Sequence, residues 1–205
     1  MDQTIDPRNV ITSMHHKVTG DLLYLMDGLY SNIEDGLFEL AYRHEGNELQ
    51  QRRSFDLMRE MRFRRSNLIQ AFAKRMQRGL EYWFGDKFEY DTEYDVEFDA
   101  MARGMSEKCS AHFNMLLRNI IERTAYATQR KPDGVNIPIS PYQVSYNFLA
   151  SCRSLDFDRQ SIELVQDLFG RFVLDRLGPV YGDCNQRLED SGFYTRRERD
   201  VASSA

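Results

Sequence analysis

Arg59, Arg62 and Arg65 recur at i, i+3 and i+6, a spacing that lines guanidinium groups along one side of a helix, with Arg64 beside them. A planar guanidinium offers two parallel charge-assisted bonds to a carboxylate or phosphate, so the chemistry of such a ribbon is anion recognition. Cys109 and His112 stand three residues apart and could offer two ligands from one helical face, but a tetrahedral metal site needs two more. Both fall on an apolar stripe, which predicts a packed core Cys and His. A Cys–His nucleophile would need a third residue to orient the base, and none can be assigned. Di-iron chemistry in a helical bundle uses Glu-x-x-His pairs; the residues three before His15, His16, His44 and His112 are Thr12, Ser13, Ala41 and Cys109. There is no G-x-x-x-x-G-K-[ST], G-x-G-x-x-G or G-x-S-x-G. No catalytic set, metal site or cofactor is assigned.

The elements that must position these residues read as helices. Ile11, Met14, Val18, Leu22, Leu25, Leu29, Ile33, Leu37 and Leu40 recur every three or four residues, after an Asp6-Pro7 start signal. Ser31-Asn32-Ile33-Glu34 has capping-box form and predicts a break or kink near Ser31. Gly46 and Asn47 mark a turn into a second helix reaching about Phe84, with Leu57, Met61, Leu68, Phe72, Met76, Leu80 and Trp83 on one face. There Arg65 takes a place where an apolar residue is expected, which predicts a buried ion pair with Asp35 or Glu39 of the first helix. A third stripe runs from Phe98 through Met101, Met105, Cys109, His112, Leu116, Ile120 and Thr124 to Ala127. Ser140-Pro141-Tyr142-Gln143 starts a short helix to about Cys152, and Asp158 caps another that is kinked or restarted at Gly178-Pro179 and closed at Gly192. No alternating strand is visible. The expected fold is all-α, a five- or six-helix antiparallel bundle-like domain over 1–205. Its long-helix part spans about 7–131, a shorter C-terminal part about 140–192, and the polar tail 196–205 is expected to fray.

Charge is segregated along the chain. Residues 51–80 hold nine Arg or Lys and two acids, residues 81–107 nine acids and two bases, and residues 1–50 nine acids and three bases. The formal net charge of −5 therefore hides a basic helix between two acidic segments. One reading is internal neutralisation; the other is an anionic ligand or acidic partner on the arginines. The acidic total and acidic flanks argue against nucleic acid. Between the second and third stripes lies an acidic aromatic connector, with Tyr82, Trp83, Phe84, Phe88, Tyr90, Tyr94 and Phe98 as a lid over the core or an interface patch.

Cys109, Cys152 and Cys184 are an odd and sparse set with no C-x-x-C, which argues against a disulfide framework or a zinc ribbon. The first residues lack a signal-peptide core, and the longest apolar run, Leu22 to Met26, is far short of the ~20 residues that span a bilayer. A cytoplasmic location is expected.

Four phrases resemble the proteobacterial family called domain of unknown function 1631. They are Asp35 to Ala41 with Glu45 to Gln51; Phe55 to Arg65 ahead of Phe72; Ile139-Ser140-Pro141 with Phe148; and Leu168-Phe169 with Val173, Leu177 to Tyr181, Asn185, Leu188 and Gly192. The resemblance covers roughly residues 30 to 192 in a compact or N-terminal-only version. It implies the fold and a cytoplasmic location and carries no settled activity. The function expected is a non-enzymatic regulatory or adaptor module acting by protein–protein contact or self-association. Its contact residues are expected to be Arg59, Arg62, Arg64, Arg65, Tyr90 and Tyr94. The alternative is a sensor in which the arginines clamp a nucleotide or other phosphorylated ligand.

Overall fold

A computed structural model describes residues 6–43, 46–85, 95–130 and 137–203. Among these the regular structure is entirely helical: α1 (Pro7–Arg43), α2 (Glu48–Arg78), α3 (Val96–His112), α4 (Asn114–Thr128), α5 (Pro141–Ser151), α6 (Arg159–Phe172), α7 (Leu177–Asp190) and α8 (Arg196–Ala202), with 3-10 turns at Gly79–Phe84 and Leu174–Arg176. The all-α, bundle-like fold is as expected. The number of helices is larger, because one stripe divides and the tail folds.

Helix α1 starts where Asp6 accepts the Arg8 amide at 2.9 Å and Pro7 takes the first helical position. It runs without a break for 37 residues, roughly 55 Å at 1.5 Å per residue. The break expected near Ser31 is absent. Ser31 Oγ and Asn32 Nδ2 donate back to the carbonyls of Asp27 (3.4 Å) and Gly28 (2.8 Å), so these side chains attach to their own helix instead of capping a new one. The fully buried Leu29, Ile33 and Leu37 carry the apolar stripe across the same point.

Gly46, at φ +98°, turns the chain, and Asn47 caps α2 by accepting the Gln50 amide at 3.3 Å. Contacts fix the direction of the pair. Tyr42 meets Phe55, Glu34 meets Arg62, Asp27 meets Arg65, and His15 meets the Met76 carbonyl, so α1 and α2 are antiparallel along their length. At the base of this hairpin Trp83 Nε1 donates to His15 Nδ1 at 3.1 Å. The ring proton must then sit on Nε2, which donates to the Met76 carbonyl at 2.8 Å and satisfies one of the last carbonyls of α2. His15 is fully buried, and that burial outweighs its backbone bond and, with His16 nearby, lowers its pKa to about 4. The imidazole is a neutral clasp between α1, the end of α2 and the 3-10 turn.

The third stripe divides at Phe113, whose ring packs edge-on to Tyr181 with centroids 5.9 Å apart. The same ring lies against Gly178, where an added Cβ would come within 2.9 Å of it. Phe113 wedges into the start of α7, and the two halves of the stripe pack on different partners, α3 on α5 and α4 on α7. Asn185 donates to the Leu116 carbonyl (3.0 Å) and Arg123 to Glu189 (3.0 Å), so with Phe113 on Tyr181 the residue numbers rise together and α4 lies parallel to α7.

Ser140 Oγ accepts the Gln143 amide at 3.2 Å and Pro141 begins α5. Every residue of α5 is buried, and most of its polar groups find partners inside, the Gln143 Oε1 atom excepted. Gln143 donates to Asn147, Asn147 to the Met76 sulfur, and Tyr142 to Asp99 on α3. Phe148 stacks on Phe169 of α6 with centroids 4.3 Å apart. Asp158 caps α6 through the Ser161 amide at 2.8 Å. Gly192, at φ +80°, closes α7. The residues after it, expected to fray, instead form α8 behind a full capping box of Thr195 and Glu198.

Candidate interaction surface

The basic helix α2 lies on the acidic α1, and the arginines read from the sequence are placed as follows. Arg62 Nε donates to Glu34 at 2.8 Å. Arg65 Nη2 donates to both the backbone carbonyl and a carboxylate oxygen of Asp27, each at 2.6 Å. The partner expected for Arg65 was Asp35 or Glu39; the antiparallel register brings Asp27 to its level instead. Asp35 is exposed, and Glu39 pairs with Arg43 at 3.7 Å within α1. Arg65 is also only half-buried, because its guanidinium leaves the apolar seam for the rim. Arg64 reaches Glu60 and Ser154 at 3.0 Å each, and Arg59 stands 3.5 Å from Asp56. The four arginines therefore diverge: 62 and 65 bridge to α1, 64 turns toward the end of α5, and 59 points outward. Tyr90 and Tyr94 lie outside the described residues.

Cys109 and His112 do not converge. The Cys109 thiol is buried and donates to the Leu174 carbonyl at 3.4 Å, and burial, helped by Asp175, pushes it up to about 12. His112 is exposed and rests its ring on Phe113 at 4.6 Å, not in the core as the stripe predicts, since α3 ends at this residue. Trp83 belongs to the core, whereas Phe84 lies under the Arg8 guanidinium at 4.6 Å.

What distinguishes the hairpin is its outer face. Tyr24 (82% exposed), Phe38 (47%) and Tyr42 (55%) lie along α1, and Phe63 (89%) stands on α2, with the half-buried Phe55 between. On a 3.6-residue period, 24, 35, 38 and 42 share one side of α1, and 52, 59 and 63 share one side of α2. Phe38, Tyr42 and Phe55 form a three-ring cluster with centroid separations of 4.8, 6.1 and 6.2 Å. Aromatic rings and arginines in one exposed patch have the composition of a protein–protein contact. The sequence carries a sign of it, since 24, 38, 42 and 63 are aromatic yet off the apolar stripes.

A second junction was also not read from the sequence. Arg123, 2% exposed, donates to Glu189 (3.0 Å), Glu198 (2.7 Å) and the Phe193 carbonyl (2.9 Å), joining α4 to α7 and α8. Burial acts to raise the Glu198 pKa, but its Thr195 hydrogen bonds and the Arg123 guanidinium together hold it below the usual value. Two clefts flank these regions. One of about 460 Å³ sets Arg53 among Asp56, Glu60, Asp156 and Asp158. The other, about 640 Å³, runs between α4 and α8, edged by Met115 and Val201.

Residues 91–192 match the model of a family described as protein of unknown function (DUF1631), N-terminal domain. The chain resembles the DUF1631 family. The match takes in α3 to α7, including the Ser140-Pro141 helix start and the Leu177 to Tyr181 phrase; the α1–α2 hairpin precedes it. No curated protein and no solved structure matches the chain. Among the described residues no helix is long and apolar enough to cross a membrane.

Proposed function

We propose that this chain is a non-enzymatic regulatory or adaptor module of the bacterial cytoplasm, working through protein–protein contact on the outer face of the α1–α2 hairpin. The observation that carries the reading is the exposure of Tyr24, Phe38, Tyr42 and Phe63 on that one face, beside Arg59 and Arg62. Isolated exposed apolar residues are ordinary, but a run of large rings along one helical face marks a surface that gains by being covered. Three free, buried cysteines suit a reducing compartment. The alternative of a phosphate-clamping sensor is less well supported. Arg59, Arg62, Arg64 and Arg65 diverge to four different carboxylates, Asp56, Glu34, Glu60 and Asp27, and do not converge on one phosphate.

Placing a photo-crosslinking amino acid at Phe63 tests this in living cells, with Arg159, 90% exposed on α6, as the control position. Discrete protein adducts at 63 and none at 159 are expected. Equal, diffuse labelling at both positions would remove the reading.

A further inference from the structure

We infer that the partner seated on this hairpin face is a second copy of the same chain; the inference rests on the interaction reading above and names its occupant. The face is electrically self-complementary. Its α1 side carries the exposed Asp35 and its α2 side Arg59 and Arg62, while Glu39 and Asp56 on the same face are paired with Arg43 and with Arg52 and Arg59. A two-fold axis running along the hairpin lays α1 of one copy on α2 of the other, antiparallel. Asp35 of each copy then faces the arginines of the other, twice over, as an isologous contact requires.

The register agrees. Contacts within one copy put Glu34 level with Arg62 and Tyr42 level with Phe55. The two-fold preserves those levels, so Asp35 comes within about one helical turn of Arg59 and Arg62 of the second copy. Tyr42 comes opposite the second Phe55, and the exposed rings at the hairpin tip are covered. The alternative two-fold, perpendicular to the helices, sets α1 on α1 and acid on acid. Asp35 makes the charge argument specific: it is exposed on the outer side of α1, whereas Glu34 is already held by Arg62.

The area suffices. Between Tyr24 and Tyr42 the hairpin runs roughly 27 Å, and two helices about 10 Å wide give a footprint of roughly 500 Å² per copy, about 1,000 Å² in all. That is the lower bound of a specific interface, so the association is tested over a dilution series.

The test is light-scattering mass of the full chain at low salt, diluted from ~100 µM, where any association tighter than about −5.5 kcal/mol populates the dimer. Wild type is expected to dimerise. Asp35→Arg and Arg59→Asp, both on exposed helix surface, are each expected to weaken dimerisation at least tenfold with unchanged circular dichroism. Mixed one to one, the two variants are expected to recover it, because each reversed residue then meets its complement. A wild type that stays monomeric, or variants that dimerise as well as wild type, overturns the inference, as does a mixture that fails to recover. Phe63 adducts to other proteins together with a monomeric wild type would sink the second copy while leaving the interaction reading standing. The absence of specific adducts in cells would remove both.

Discussion

Two junctions in this chain use arginine in opposite surroundings. On the hairpin, Arg62 and Arg65 tie α2 to α1 at the rim, with Arg62 two-thirds exposed and Asp27, the partner of Arg65, 71% exposed. At the other junction Arg123 ties α4 to α7 and α8 from the inside, with its side chain 3% exposed and three acceptors gathered around it. Geometry is similar in both, with N–O distances of 2.6 to 3.0 Å. What differs is water. At the rim, solvent replaces a lost partner at small cost; inside, the Arg123 guanidinium left without its acceptors keeps its desolvation penalty, although Glu189 and Glu198 reach water with 46% and 39% of their side chains exposed. The rim pairs set the register of a surface that is open to a partner, whereas the inner cluster closes the C-terminal half.

Removing the inner arginine should show this most strongly. Arg123→Ala leaves the Phe193 carbonyl unpaired and empties the space of a buried side chain, while Glu189 and Glu198, 46% and 39% exposed, turn to water, so a loss of about 1–3 kcal/mol is expected by urea unfolding. Helix α8 buries no side chain of its own and should lose amide protection first in hydrogen exchange. A loss under about 1 kcal/mol would erase the distinction between the two junctions.

The hairpin has its own buried polar anchor, and pH should reveal it. His15 titrates at about 4 in the fold against 6.5 for the ordinary group. Between these values the unfolded chain takes up a proton that the folded chain refuses, so stability falls as pH drops from 6.5 toward 4. Above 6.5 both states are neutral and the contribution is complete; below 4 both are protonated and the loss levels off. A depression of this size corresponds to about 3 kcal/mol across the window. His15→Gln, which cannot titrate, should flatten that part of the stability–pH curve. A slope unchanged by the substitution would assign the acid sensitivity to other groups.

The sequence is legible where a residue's neighbours lie along the same helix. The cap residues Asp6, Asn47, Ser140 and Asp158 act within three positions, and the apolar stripes of α1 and α2 are local patterns; these agree with the structure. The third stripe, read as unbroken, and the partner of Arg65 are misread for a common reason: what decides them lies across the fold. The helix breaks at 113 because Gly178 and Tyr181 receive its ring, 65 or more residues away. Arg65 chooses Asp27 over Asp35 because of a register fixed by the turn at 46 and the clasp at His15. Arg123 sits on its stripe three residues after Ile120, a visible anomaly, but its acceptors are on α7 and α8. The exposed rings of α1 and α2 were visible as aromatics off the stripe. Their gathering into one face depends on the antiparallel pairing.

Arg65→Ala gives the smallest expected effect and the sharpest comparison. The side chain makes two short bonds, yet one acceptor is a carboxylate open to water and the other a carbonyl inside a continuous helix. Solvent can satisfy the carboxylate, and the α1 seam beneath remains closed by Met26, Leu29 and Ile33. The expected loss is about 1 kcal/mol or less, smaller still at high salt where the Coulomb part is screened. Urea unfolding of this variant beside Arg123→Ala at two salt concentrations decides the matter. A salt-insensitive loss as large as that of Arg123→Ala would mean that Arg65 acts as a buried group, and that the hairpin face closes over it in solution.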